Sequence, residues 1–184
     1  MILILRIILT LISRVMEHLS VRTAGDNFGE NGFFYISYYD TNIGTHNVVY
    51  TDIENTDNYD HIYQSDLCGW VGQLGYNKDS IYGANVFTAE GNETLKAASF
   101  YATGKDSQYE LYVVRQFEDE TSLEKMIPVA SGKLGNAGYY TVDFNQGIEV
   151  DAGERYAVVL YIITPGSVHP MAIEYAADEA TENV

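Results

Sequence analysis

Residues 95–103 read LKAASFYAT, and this stretch decides the fold class. Apolar side chains recur at every second position, with other side chains between them. The first set is Ala98, Phe100 and Ala102, and the second set is Ser99 and Tyr101. A period of two puts each set on its own face of a β-strand. The stretch therefore predicts a strand with one face in a core and the other directed outward.

The same alternation recurs along the chain, in YELYVVRQF at 109–117 and YYTVDF at 139–144. YAVVLYIIT at 156–164 is apolar on both faces, which predicts a central strand buried on both sides. Turn-forming Gly, Asn and Asp residues separate these runs. We predict an all-β fold, an antiparallel β-sandwich of the jelly-roll type. After residue 24, only SLEKM at 122–126 suggests a helical turn.

Composition limits the possible functions. The 184 residues are 46% hydrophobic, enough for one sizeable core, and they include 16 tyrosines. The formal net charge is -16, which disfavours nucleic acid and anionic membrane surfaces as partners. The single cysteine rules out an internal disulfide.

The N-terminal segment, residues 1–24, is apolar but too short to predict a transmembrane helix. Three interpretations stay open: a weak signal or anchor, a buried amphipathic helix, or sequence that results from a wrong start. We predict a short helix here. GENGFFYISYYD at 29–40 contains an apolar strand, and the polar residues 41–60 are predicted to be an acidic linker.

Several phrases resemble a known family. IYQSDLCGW at 62–70, YGANVFTAEGNETLKAASFYAT at 82–103 and AGERYAVVLYIITPG at 152–166 resemble the lectin-like domain that follows the catalytic domain in bacterial and archaeal papain-like cysteine proteases. GENGFFYISYYD resembles the C-terminal end of the protease domain. The resemblance implies this organisation: N-terminal segment 1–24, protease remnant 25–40, linker 41–60, lectin-like β-sandwich 61–178 and tail 179–184.

The resemblance also implies that the chain is not an enzyme as it stands. In papain-like proteases the nucleophilic Cys and the base His precede this point, and an orienting Asn lies just before the Gly-rich turn. Here Thr23 and Ala24 occupy that place. His18 is the only upstream histidine, and no cysteine precedes the turn. We therefore predict no catalytic residues.

Metal and cofactor sites are not indicated. Cys68 is predicted to be a small buried or half-buried thiol, and His46, His61 and His169 lack zinc spacing. A loop calcium site at Asp57 and Asp60 is the less favoured alternative to a solvated acidic loop. No cofactor is expected.

Aromatic residues are the candidate ligand-binding groups. Four of them lie near the Gly-rich entry to the sandwich: Tyr63, Trp70, Tyr76 and Tyr82. Sugar-binding sites often present a flat ring with polar side chains around it. The alternative is that Trp70 and Tyr63 belong to the core or pack the linker onto the sandwich.

These observations and the resemblance lead to one main expectation. The chain is expected to be a non-catalytic accessory domain that binds a glycan, a cell surface or a protease domain, outside the cytoplasm. Two alternatives stay open: a C-terminal fragment of a cysteine peptidase, or a purely structural module that packs on the protease domain.

Overall fold

A computed structural model describes residues 18–22, 33–37, 39, 58–65 and 69–175. The chain divides into two compact units, Met1–Tyr59 and Asp60–Val184. Among the described residues, no helix has the length and apolar character needed to cross a membrane.

The described part of the first unit contains a pair of antiparallel strands, β1 (His18–Arg22) and β2 (Phe33–Ser37). The strand expected in GENGFFYISYYD is confirmed. The helix expected within residues 1–24 does not include His18–Arg22, because these residues pair with β2. A lone strand would leave its backbone N–H and C=O groups without ladder partners, and this pairing supplies them. Residues 1–17 lie outside the described part.

The second unit contains eight strands in two antiparallel sheets. The strands are β3 (Gly72–Leu74), β4 (Ser80–Thr88), β5 (Glu93–Ala102), β6 (Ser107–Val114), β7 (Ile127–Leu134), β8 (Gly138–Val150), β9 (Arg155–Ile163) and β10 (Met171–Ile173). Sheet I has the order β3-β10-β5-β8, and sheet II has the order β4-β9-β6-β7. The predicted antiparallel β-sandwich is confirmed.

The core lies between the two sheets and follows the predicted alternation. Phe100 and Ala102 of β5 are buried against Leu111 of β6 and Ile162 of β9. Tyr101, between the two buried residues of β5, faces outward. Burial of a Leu, Ile or Phe side chain contributes about 1.5–3 kcal/mol, so this layer contributes substantially to the stability of the sandwich.

A short helical loop covers one half of the outer face of sheet II. The predicted helical turn is a 3-10 helix, Glu120–Lys125, whose first residues are capped by the Asp119 carboxylate. Ala157 and Val159 of β9 are buried beneath this loop. The predicted two-sided burial of β9 therefore applies to its first half. The loop leaves the second half of the outer face open to solvent.

An ion pair fixes the loop that follows β6 to the turn before β9. Arg115 donates through Nε to Glu154 Oε1 at 2.9 Å and through a terminal nitrogen to Oε2 at 2.6 Å. The Glu154 side chain is only 6% exposed. Hydrogen bonding to Arg115 lowers the pKa of Glu154 to about 2, so this carboxylate stays ionised in the folded protein.

Candidate functional site

The four aromatic residues predicted to bind ligand do not form one cluster. Tyr63 packs its half-buried ring against Phe87 and Tyr156, with ring centroids 6.0 and 5.9 Å away. Its hydroxyl donates to the Glu93 carboxylate at 2.8 Å and accepts from the Glu90 backbone N–H at 2.8 Å. These contacts fix the segment before β3 onto the sandwich, in agreement with the alternative interpretation of Tyr63 as a packing residue.

The environment of Glu93 shows how this anchor is held. The hydrogen bond from Tyr63 is the main cause that lowers the pKa of Glu93, and the backbone N–H of Gly91 adds to it. His61 lies 3.2 Å from the same carboxylate through Nδ1. In this anchor the Tyr63 hydroxyl donates to the ionised Glu93 carboxylate, and the two side chains hold the segment before β3 in place.

Trp70 and Tyr76 lie in two further places. Tyr76 is 73% exposed in the loop between β3 and β4. Trp70 contacts Tyr101 at 6.0 Å between ring centroids, and Tyr101 contacts Tyr139 at 4.7 Å. We call Trp70, Tyr101 and Tyr139 the aromatic row. Tyr101 and Tyr139 lie on the outer face of sheet I, as their alternation predicted.

Tyr82 lies on the outer face of sheet II and stacks on Tyr161. Their ring centroids are 4.3 Å apart, and the two planes differ by 27°. The pair forms because Tyr82 of β4 is directly opposite Tyr161 of β9 in the ladder. Tyr82 remains 55% exposed, so this stack presents an aromatic surface to solvent.

The register continues the same line of residues across all four strands of sheet II. Tyr161 is opposite Glu110 of β6, and Glu110 is opposite Ser131 of β7. Directly opposite residues on one face have Cβ atoms about 4.5–5.5 Å apart. Two stacked rings, a carboxylate and a hydroxyl therefore stand side by side in one transverse line.

A depression of about 400 Å³ lies over this line. Its lining includes the polar side chains of Gln108, Glu110, Ser131 and Lys133 and the ring of Tyr161. We call this depression, with the adjoining Tyr82, the tyrosine pocket.

The charges of the tyrosine pocket are set by close contacts. Tyr112, two positions beyond Glu110 on the same face of β6, donates its hydroxyl proton to the Glu110 carboxylate. This hydrogen bond raises the pKa of Tyr112 to about 12, so the phenol stays protonated. Lys133 pairs with Asp106 at 3.2 Å. In the part of the chain that the structure describes, no cation lies within ion-pair distance of Glu110.

Among the described residues, no group of three or more His, Cys, Asp or Glu side chains has the arrangement needed to hold a metal ion. Asp57, His46 and Cys68 lie outside the described residues, so the expectations for them stay predictions. Asp60 is exposed, and His169 lies in an exposed loop before β10.

Sequence reasoning did not select Tyr161 or Glu110. Tyr161 lies inside the apolar run YAVVLYIIT, which favours a buried position. Glu110 alternates with Tyr109 and Leu111, and this period indicates that its side chain faces outward. The missing information was the strand pairing that joins these residues to Tyr82.

The protein-family model described as "Lectin like domain" matches residues 62–184, well over half of the chain. The chain therefore belongs to the lectin-like domain family, and the resemblance noted in the sequence is confirmed. The matched domain is the lectin-like domain and not the catalytic protease domain. No curated protein matches the chain.

Solved structures of the cysteine protease Cwp84 share this fold. A variant of the clostridial cysteine protease Cwp84 after propeptide cleavage gives a TM-score of 0.64 at 22% identity, over 84% of this chain and 39% of that chain. A second structure contains the cysteine protease and lectin-like domains of Cwp84, a surface layer associated protein of Clostridium difficile. It gives a TM-score of 0.60 at 22% identity, over 84% of this chain and 34% of that chain. The chain thus spans well under half the length of either solved protein.

Proposed function

We propose that the sandwich is a non-catalytic accessory domain that binds carbohydrate at the tyrosine pocket. The observation that carries this proposal is the exposed Tyr82 ring, stacked on Tyr161 beside a depression with polar walls. A sugar ring has apolar faces that stack on aromatic rings, and its hydroxyl groups need hydrogen-bond partners at the edge.

The size and polarity of the pocket support a small glycan segment as ligand. About 400 Å³ falls within the range of about 300–1,000 Å³ that is typical of small-molecule sites. Gln108 supplies both donors and an acceptor, Glu110 supplies acceptors, and Ser131 supplies a hydroxyl. The net charge of -16 disfavours phosphorylated or sulfated ligands.

The proposed setting is a papain-like protease that acts outside the cytoplasm, where the domain holds the protease near a glycan or cell surface. Two observations support this setting. The likeness to Cwp84 covers 84% of the chain, more than the family-matched residues 62–184 alone, so it includes residues before 62. Cwp84 itself is a surface layer associated protein.

A panel of immobilised oligosaccharides tests the proposal with the full chain. The panel includes cello-, chito- and chitosan oligomers, and the variants are Tyr82→Ala and Tyr76→Ala. Tyr76 is a matched control because it is an exposed tyrosine outside the pocket. Removing one stacked ring costs about 1–1.5 kcal/mol, so Tyr82→Ala should bind about tenfold more weakly, with Tyr76→Ala unchanged. The absence of binding to any oligosaccharide, or equal losses in both variants, would refute the proposal.

A second candidate function is packing on a protease domain. The aromatic row of Trp70, Tyr101 and Tyr139 favours it, because Trp and Tyr are enriched in the buried centres of protein interfaces. The fluorescence of Trp70, the only tryptophan in the chain, offers a direct test. Addition of a separately produced papain-like catalytic domain without tryptophan near its contact surface should shift this emission if the row is the contact, and Tyr139→Ala should weaken the effect.

A further inference from the structure

We propose that the tyrosine pocket selects glycans with a free ammonium group, that is, amino sugars whose nitrogen carries no acyl group. This inference rests on the proposed carbohydrate-binding function and specifies the class of ligand. Four side chains on one face carry it: the rings of Tyr82, Tyr112 and Tyr161 and the carboxylate of Glu110.

The first argument is the unbalanced charge of Glu110. It stands between Tyr161 and Ser131 in the transverse line of sheet II. The only other charged side chain that lines the depression is Lys133, and Asp106 balances its charge at 3.2 Å. One negative charge therefore remains in the pocket, at Glu110. A ligand ammonium would form a charge-assisted hydrogen bond with it, about twice as strong as a neutral one.

The second argument is the position of the aromatic rings around that charge. Tyr161 is opposite Glu110 in the ladder, and Tyr82 stacks on Tyr161 at 4.3 Å. Tyr112 donates its hydroxyl proton to Glu110 and stands on the same face of β6. Faces of tyrosine rings attract cations within about 6 Å. The same side chains can therefore stack on a sugar ring and stabilise an ammonium group that it carries.

The third argument is the role of the Tyr112 hydroxyl. The Tyr112 hydroxyl donates a hydrogen bond to the Glu110 carboxylate and so orients it, and a carboxylate offers a ligand acceptor atoms only. Its remaining lone pairs can accept hydrogen bonds from a ligand. An N-acetylated sugar presents an amide N–H, a weaker neutral donor, and an acidic sugar presents like charge.

The experiment measures the affinity of the full chain for two soluble tetramers, of glucosamine and of N-acetylglucosamine, by isothermal titration calorimetry in mildly acidic buffer. Three proteins are compared: the natural chain, Glu110→Gln and Glu124→Gln. Gln keeps the size and the hydrogen-bond acceptor of Glu110 but removes its charge. Glu124 is an exposed carboxylate on the 3-10 helix outside the pocket, so its variant controls for attraction by net charge alone.

The inference predicts that the natural chain binds the glucosamine tetramer about tenfold more tightly than the acetylated tetramer. Glu110→Gln should lose this preference and keep its affinity for the acetylated tetramer, and Glu124→Gln should behave like the natural chain. Equal affinities, a preference for the acetylated tetramer, or equal losses in both variants would overturn the inference. If the natural chain binds neutral oligomers in a Tyr82-dependent manner without this preference, carbohydrate binding at the pocket is supported and the selection of amino sugars is rejected. If no oligosaccharide binds, both fail.

Discussion

Replacement of Glu154 by Gln removes the carboxylate whose pKa is most strongly lowered among the described residues of the sandwich. Glu154 accepts two hydrogen bonds from Arg115 and further ones from the backbone N–H groups of Gln116 and Asp151. These partners, Arg115 first, lower its pKa from 4.5 to about 2. A shift of this size corresponds to about 3 kcal/mol, and the 36% exposure of Arg115 reduces our expectation to about 2 kcal/mol.

The pH dependence has a definite sign. Because the folded-state pKa of Glu154 lies below its unfolded-state value, its contribution is fully present above about pH 4.5 and is lost as the pH falls towards 2. Glu154→Gln should therefore destabilise the protein by about 2 kcal/mol near neutral pH, and this deficit should shrink steadily below pH 4.5.

Urea denaturation at a series of pH values checks this, with the fluorescence of Trp70 as the probe of the second unit. Glu124→Gln is the control, since it removes one exposed carboxylate outside this ion pair. The reasoning is refuted if Glu154→Gln costs no more than the control near neutral pH, or if its cost stays constant down to the lowest pH at which the protein folds.

Two further changes test the packing. Gly75→Ala should destabilise the sandwich by about 2 kcal/mol, because a Cβ there would lie 2.2 Å from the Val168 carbonyl oxygen. The control Gly135→Ala should leave the stability unchanged, since a Cβ there would have nothing within 4 Å. Thermal unfolding compares the two variants. Tyr63→Phe should lower the free energy of unfolding by about 1 kcal/mol, because the Glu90 backbone N–H loses the Tyr63 hydroxyl as its acceptor. The same change should raise the pKa of Glu93 towards its ordinary value, because the hydrogen bond from Tyr63 is lost. An NMR titration of Glu93 that is unchanged in Tyr63→Phe would contradict this account of the anchor.

Features of the fold that depend on neighbouring residues could be predicted from the sequence. Alternation of period two depends only on neighbouring residues, so it correctly put Phe100 inside and Tyr101 outside. The strand within GENGFFYISYYD was also predicted, but its partner β1 was not, because the apolar N-terminal segment suggested a helix. Pairing between distant segments has no local signature, and tertiary contacts override local preference.

The same limit applies to the candidate site. Tyr82 was selected as one of the aromatics near the Gly-rich entry to the sandwich, but its environment depends on residues 28 and 79 positions away in sequence, Glu110 and Tyr161. The loop at 117–126 decides which half of β9 is exposed, and sequence alone does not show that it folds back over Val159. Tyr63 and Trp70 looked similar in sequence, yet one is an anchor and the other belongs to the aromatic row.

The most direct test of the central claim is a map of amide chemical-shift changes, by NMR of the isotope-labelled full chain, during titration with the oligosaccharide that binds best in the panel. The account predicts that the largest changes fall on the transverse line of Tyr82, Tyr161, Glu110 and Ser131, and that Tyr82→Ala needs about tenfold more ligand to reach the same changes. Changes centred on Trp70 and Tyr139 instead, or the same titration midpoint in Tyr82→Ala as in the natural chain, would contradict it.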